Sequence, residues 1–449
     1  MTMAAFILEK SKIIGLLLFL ALGAQMILMR PRWQFYPLYL LIFLYFLLMT
    51  LNHFRPLVLT QGSSRWIIRI GLFLLIISMV FLLIFPKEKL PLPTGKYPVG
   101  TRIYEVEDKA RLELYTRQEN DHRRIKYQIW YPAEETQGYE KARWITDGRI
   151  LTRQLAENMH LPSFMLDHTA LIASNSYLEA PVSSALQKYP VVIISHGWRG
   201  FRELHTNFAE ELASHGFIAV SIDHTYGSQA VTFQDGGVAL LNQDALPDES
   251  DPRRFSEASR VLVTTYGEDV TTVLNDLEWQ NSASGDFSDL LDLNAIGLLG
   301  HSTGGGGDVF VSLKDQRIKA LMGLDAWVNP LPSEMLEKGV SMPVLFLRSE
   351  QWSQGPNNTA LGTLMSNSEN ARLIQMNRTT HIDFTMTYMF SPLTEYIGFT
   401  GKLGRKKSPE IQREVMLSFF DHHLRQKNGS SGDFLEAFTE KYHDLKLMD

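Results

Sequence analysis

The sequence predicts an α/β fold, a mostly parallel, doubly wound sheet with helices on both faces, preceded by three transmembrane helices. Three observations carry that expectation. Long apolar runs crowd the first ninety residues. From about Val99 onward strand-like and helix-like segments alternate, as they do where crossover helices join parallel strands. Gly300-His301-Ser302-Thr303-Gly304 follows the apolar run Ala295–Leu299, the pattern of a sharp turn between a buried strand and a helix.

The apolar runs cover about residues 13–29, 36–52 and 66–85. Crossing the hydrocarbon core takes about twenty apolar residues, with about 17 as the lower limit. Trp33, Phe35 and Tyr36 sit where an interfacial aromatic belt would lie. A cleaved signal peptide wants a small-residue site followed by polar sequence. Here the first run ends in Met29-Arg30-Pro31-Arg32 and a second run follows. Residues 1–90 carry nine lysines and arginines against two glutamates, a net +7, while the whole chain is −6, leaving −13 for the remainder. A basic membrane segment (1–89) thus carries an acidic domain (99–449) through a Pro- and Lys-rich linker (90–98). The large domain has no basic patch, which argues against a nucleic-acid partner. Lys10, Lys12, Arg55, Arg65 and Arg69 slightly outweigh Arg30, Arg32, Lys87 and Lys89 on the opposite side. That bias puts the amino terminus inside, in an integral protein of the cell membrane with its large domain extracytoplasmic. The absence of cysteine excludes disulfides, thiolate metal sites and a cysteine nucleophile. Nothing in the sequence signals an oligomeric state.

In the large domain, Arg124–Tyr131 alternates like a strand and stops at Pro132. Tyr189–Ser195 is a continuous apolar run, expected of a strand buried on both faces. Phe201–His215 reads as a helix ended by Gly216, and Phe217–Ile222 as the next strand. Gly267–Glu278 is an amphipathic helix, Asn294–Leu299 the strand before Ser302, and Ile318–Leu324 and Pro343–Arg348 two further strands. Pro409–Leu424 reads as a closing helix, N-capped by Ser408. Two inserts stand out. Residues 144–184 fit either a cap over the site or a helix against the sheet edge. Residues 227–260 contain Phe233-Gln-Asp-Gly-Gly237, a hairpin turn.

A Gly-rich turn without chemistry fits G-x-S-x-G as well as a nucleophile does, so the case rests on the other groups. Ester hydrolysis by a serine needs a base, a group to orient it, and donors for the oxyanion. The N–H of Thr303 and an N–H in Ser195-His196-Gly197-Trp198-Arg199-Gly200, with Trp198 favoured, suit the oxyanion. The base should lie downstream of Ser302. His422 and His423 fall in a helix and His443 in the tail, whereas His381 follows a strand-then-loop pattern. For the acid, Asp325 ends one strand and Glu350 the next, and pattern alone does not choose between them.

The pieces Ser195-His-Gly197, Ala213-Ser-His-Gly-Phe-Ile218, Gly300-His-Ser-Thr-Gly-Gly305, Leu324-Asp-Ala-Trp327 and His381-Ile-Asp-Phe384 stand in that order. With them the chain resembles the platelet-activating factor acetylhydrolase family, isoform II type, of the α/β-hydrolase fold, over about residues 90–426. Bacterial members are similar also in Leu90-Pro-Leu-Pro-Thr-Gly95 and Val99-Gly-Thr101, so the resemblance implies a bacterial member, here with a membrane anchor read from the apolar runs, which lie outside the family's usual core. It implies Ser302 as nucleophile, His381 as base, Asp325 as acid, and the N–H groups of Trp198 and Thr303 as oxyanion donors. Glu350 then drops to the pocket or its surroundings, with His196, Gly197, His301 and Trp327. It implies a lipid or short-acyl phospholipid ester as substrate; the apolar runs add a bilayer as partner, and the mechanism calls for neither metal nor organic cofactor. The alternatives are a carboxylesterase for soluble short-chain esters and a non-catalytic membrane protein on the same scaffold. Two departures stand out. Thr303 occupies a position where the family often has an aromatic residue. Gly304–Gly307 is an unusual run that should make the following helix start loosely or pack very close to the sheet.

Overall fold

The computed structural model describes residues 11–29, 31–55, 60–425 and 434–448. Three apolar helices lead: α1 (Ser11–Met29), α2 (Tyr36–Phe54) and α3 (Gln61–Ile84). Thr60 caps α3, its hydroxyl accepting from the Ser63 N–H at 3.1 Å. By length and composition two stretches could cross a membrane, Trp33–Phe54 and Gln61–Ile84. Of the three expected spans, two are thus candidates among the described residues. Over the residues whose side chains are described, α1 is apolar from Gly15 to Leu28, a shorter stretch than the other two. Lys10 and Arg30, which contribute to the charge bias, lie outside the described residues. The aromatic belt also differs: Trp33 and Phe35 are buried, Trp33 against Phe81, Phe85 and Phe164. Nor is 90–98 a free linker. Leu90 is buried beside Trp144 and Leu151, and the N–H groups of Thr94 and Gly95 donate to Glu211 and Ser214.

The large domain supplies β1 (Val99–Leu112), β2 (His122–Pro132), β3 (Lys141–Arg143), α4 (Gly148–Asn158), β4 (Ala173–Leu178) and β5 (Tyr189–Ser195). Then come α5 (Thr206–Ser214), β6 (Ile218–Asp223), the hairpin strands β7 (Ala230–Thr232) and β8 (Val238–Leu240), and α6 (Pro252–Gln280). Next are β9 (Leu291–His301), α7 (Thr303–Ser312), β10 (Ile318–Leu324), α8 (Ser333–Leu336) and β11 (Val344–Ser349). The chain ends with α9 (Pro356–Ser366), β12 (Ala371–Met376), α10 (Lys407–Leu424), α11 (Phe434–Lys441) and β13 (Leu445–Met448).

All strands but the β7–β8 hairpin form one sheet, in the order β13-β12-β11-β10-β9-β5-β6-β2-β1-β4-β3. Its middle, from β6 to β12, is parallel, and β2 and β13 flank it antiparallel. Along β5, Val191 and Ile193 enter one core with α6 and α7, and Val192 and Ile194 the other with α5 and α10. A run apolar at every position is what two covered faces require.

Several boundaries differ from expectation. The helix over Gly267–Glu278 begins much earlier, at Pro252, because Asp251 caps it by accepting from the N–H groups of Arg253 and Arg254. Ser408 lies inside α10 and its hydroxyl accepts from Gln412 instead of capping. The chain does not close on α10, since β13 returns to pair with β12. In the insert 144–184, β4 adds a strand near the sheet edge, while Leu155 and Met159 at the end of α4 line a cleft.

The glycine run packs close and does not start loosely. A Cβ on Gly304 would lie 2.4 Å from the Ser195 carbonyl oxygen, and one on Gly306 2.2 Å from that of Trp327. Both obstacles are backbone, so α7 can approach β5 and the loop after β10 only without side chains there. Gly306→Ala should therefore destabilise by about 1–3 kcal/mol through overpacking. Gly362 in α9 has nothing within 4 Å of its missing Cβ, and Gly362→Ala should be neutral or stabilising. Thermal melts of the two variants in one detergent check the contrast; equal loss at both sites would contradict it.

Candidate active site

The carboxyl ends of β5, β9, β10, β11 and β12 lie side by side, where open α/β sheets hold their ligands. Ser302 stands between β9 and α7 with φ 54° and ψ −119°. A non-glycine residue there carries strain on the order of 1–3 kcal/mol. Hydrogen bonds hold it in place: its N–H donates to Leu324 and its carbonyl accepts from Trp327 and Gly306. Gly197 packs against it so closely that a Cβ on Gly197 would lie 2.8 Å from the Ser302 Cβ.

Asp325 follows β10 and is also left-handed, at φ 43°. Its Oδ1 accepts from the Ser349 N–H at 2.8 Å, and its Oδ2 from the Ser349 hydroxyl at 2.6 Å and from His381 Nδ1 at 3.0 Å. With the carboxylate accepting, His381 carries its proton on Nδ1 and leaves Nε2 with a free lone pair. His381 begins a short turn held by a Thr380–Asp383 capping box. The Trp352 ring stacks flat on the imidazole, centroids 4.1 Å apart and planes 5° from parallel. His301 lies 4.5 Å away at 34°, and its Nε2 donates to the His381 carbonyl at 3.1 Å. Burial and the adjacent His381 hold His301 well below the usual histidine range, so it stays neutral.

Ser302, His381, His301, Gly197 and Trp198 line one cleft of about 330 Å³. Its walls are largely apolar, with Leu155, Met159, Phe201, Leu204, Phe390 and Phe399 prominent. The Trp198 N–H donates to the Thr303 hydroxyl at 3.3 Å, so the oxyanion candidates adjoin. Of the residues expected in the pocket or its surroundings, three lie outside the cleft lining. His196 is buried beneath the loop, its Nδ1 donating to the Gly197 carbonyl at 2.7 Å and its Nε2 accepting from Ser228 at 2.8 Å. Trp327 braces the serine turn through its backbone. Glu350 is exposed and accepts from the Arg378 N–H at 2.6 Å, holding the loop that leads to His381. Sequence reasoning missed Ser349 and Trp352, which adjoin Glu350 without any motif to mark them. It also missed Asp308, whose Oδ1 accepts from Ser195 at 2.8 Å beneath the serine turn. Among the described residues no group of three or more His, Asp or Glu side chains is arranged to hold a metal ion.

The model of the family described as platelet-activating factor acetylhydrolase, isoform II, matches residues 82–441. The chain belongs to that family. It is a carboxylic ester hydrolase, and relatives in the family are about a quarter identical to it over the matched stretch. The platelet-activating factor acetylhydrolase of Bos taurus is 26% identical over 366 residues, 75% of this chain and 78% of its own length. That of Cavia porcellus is 26% identical over 386 residues, 81% of this chain and 83% of its own. A solved ferulic acid esterase from Streptomyces cinnamoneus shares the fold, with a TM-score of 0.65 at 20% identity over 81% of this chain and all of its own.

Asp308 gives the site a pH signature. Burial pushes its carboxyl up to about 8 from an ordinary 3.8. The folded protein then holds a proton that the unfolded chain has released, so this residue lowers stability as pH rises through that window. Asp308→Asn removes the effect. The melting temperature of the variant relative to wild type should climb from pH 5 to pH 8; a difference that stays flat with pH contradicts a buried neutral acid.

Proposed function

We propose that the protein is a membrane-anchored serine esterase acting on lipid or short-acyl phospholipid esters through Ser302, His381 and Asp325. The observation that carries this reading is the shared cleft: a hydroxyl on a strained turn beside an imidazole whose far nitrogen is held by a buried carboxylate. His381 Nε2 takes the proton as the Ser302 oxygen attacks the ester carbonyl. The N–H groups of Trp198 and Thr303 bind the oxyanion, displacing the contact between Trp198 and the Thr303 hydroxyl. Collapse of the tetrahedral intermediate expels the alcohol with the proton from His381. Water, deprotonated by the same nitrogen, then attacks the acyl-enzyme and releases the acid. Trp352 lies over the imidazole where positive charge develops, and an aromatic face favours a cation. Asp325 fits the role of acid through its direct bond to His381, whereas Glu350 points to the Arg378 backbone.

The apolar cleft walls, the two candidate spans and the activity in the names of the relatives support a lipid ester over a soluble one. The apolar helices serve as the anchor, with the large domain extracytoplasmic.

A fluorophosphonate should label wild type and fail to label Ser302→Ala; absence of labelling in folded wild type would sink the mechanism. Asp325→Asn should lower kcat by roughly 10³–10⁴-fold, as loss of the orienting acid does elsewhere. Glu350→Gln should cost far less, and the reverse order would reassign the acid.

A further inference from the structure

No Asp, Glu or Lys is among the residues lining the catalytic cleft, and beside His301 and His381 the one charged side chain there is that of Arg199. Three features set this arginine apart. It directly follows Trp198, whose N–H is the proposed oxyanion donor, so it stands one residue from the reacting carbonyl. Its backbone is left-handed, at φ 63°, a conformation that glycine adopts freely and other residues only at a cost. Two hydrogen bonds hold it there. Its N–H donates to the Gly227 carbonyl at 3.0 Å, and its carbonyl accepts from the Gln229 amide at 2.7 Å. A position suited to glycine thus carries a guanidinium.

The third feature is the missing counter-charge. Nη2 of Arg199 donates to Gln243 Oε1 at 2.7 Å, and among the described residues Arg199 enters no ion pair. Acids are not scarce, since residues 91–449 sum to −13. Asp244, the neighbour of Gln243, pairs with Arg254 at 3.7 Å instead. Arg202, three residues further on, faces Asp147, Asp223 and Glu203. Around Arg199 the partners are neutral amides. Gln243 also donates to Asn158 at 3.3 Å, and Asn158 to Gln229 at 2.6 Å. Asn158 and Gln229 line the cleft. The lining therefore divides into apolar side chains and a band of amides around one guanidinium. An amide steadies the guanidinium without neutralising it and leaves its other donors for an incoming acceptor.

We propose that Arg199 is a specificity-determining residue that receives the phosphate diester of a glycerophospholipid while the acyl ester of that lipid lies at Ser302. This rests on the esterase reading above and adds which group of the substrate is recognised and by what. In such a lipid only glycerol carbons separate the ester from the phosphate, and Arg199 is the immediate neighbour of the oxyanion donor. The acyl chain meets the apolar lining, and the phosphate oxygens match the fork of the guanidinium. In an acidic domain, one uncompensated positive charge in the cleft also draws an anion to that point.

The test uses the full-length protein in a neutral detergent and three soluble acetyl esters of one glycerol skeleton. The first carries a methyl phosphodiester beside the ester, the second its uncharged dimethyl phosphotriester, the third a carboxylate in the same place. Wild type should favour the phosphodiester over the triester in kcat/KM, chiefly through KM, and added salt should weaken that preference. Arg199→Gln should lower the preference by about tenfold, the scale of one charge-assisted hydrogen bond, and Arg199→Lys should restore part of it. A wild-type preference that is absent, or indifferent to salt, overturns the phosphate seat and leaves the esterase standing. A loss in Arg199→Gln that falls equally on all three esters does the same, since a mere brace of the loop would act on every substrate. A carboxylate ester favoured over the phosphodiester overturns the choice of phosphate. No turnover of any of the three, with Ser302 inert to fluorophosphonate, overturns the esterase reading and this proposal with it.

Discussion

The close approach of α7 to the sheet is the constraint on which the site depends. Ser302 can hold a left-handed backbone only because its N–H and carbonyl are bonded to Leu324, Trp327 and Gly306. Those bonds form only if the first turn of α7 lies against backbone. The four glycines make that contact possible, each facing a neighbour that a side chain would strike. Glycine disfavours a helix by up to about 1 kcal/mol per residue in isolation. Here tertiary packing outweighs that preference, and the strain at the serine is carried by a framework with little room to relax. This also explains why Asp308 tolerates burial: its carboxyl faces Gly300 and Ser195, in a space too tight to rearrange and too dry for a charge.

Two separate braces hold the remaining groups against that turn. The loop after β11 secures Asp325 and His381 together. Ser349 donates twice to Asp325, Gln351 accepts from the His381 N–H at 2.7 Å, and Trp352 fixes the plane of the ring. The other brace lies under the oxyanion loop. His196 grips the Gly197 carbonyl and is bonded to Ser228, which reaches Asp223, the partner of the buried Arg202. Because a peptide is planar, fixing the Gly197 carbonyl fixes the Trp198 N–H on its opposite side. Arg202 and Lys126 face three buried carboxylates, Asp147, Asp223 and Glu203. That excess of one acid is relieved at Glu203, which burial and its acidic neighbours push up to about 7. The network contributes rigidity where the oxyanion loop must not drift.

Much of this was legible in the sequence because it is local. A continuous apolar run such as Tyr189–Ser195 marks a doubly covered strand, and G-x-S-x-G after another marks the turn. His381 could be singled out by eliminating helical and tail histidines. The acid could not be chosen from pattern. Asp325 and Glu350 both end strands, and what separates them is the direction of a side chain, set by Ser349 and His381 in three dimensions. The same holds for His196, which reads as part of a loop at the site and proves to be its support. The early start of α6 and the late return of β13 were hidden for another reason. Their signals, Asp251-Pro252 and Leu445–Met448, are brief, and their pairing partners lie far away in sequence.

The apolar helices illustrate the limit of hydropathy most clearly. Composition marks two of them as candidate membrane spans and says nothing of how they meet the hydrolase domain. Yet the last carbonyls of any helix lack intrahelical donors, and in apolar surroundings each unpaired group is costly. At the end of α3 those donors come from outside the helix. Ser391 serves Ile84, and Gln34 serves Phe85 at 3.0 Å, while Ser78 in turn bonds the Gln34 carbonyl. A floppy tether would have left these carbonyls to water. Instead the groups that satisfy the helix end belong to the turn before α2 and to the segment beside the cleft. The position of the site relative to α3 is thereby fixed by hydrogen bonds that the helix needs for its own termination. The apolar helices and the large domain meet as one packed body, and the geometry of the cleft mouth follows from how a helix must end.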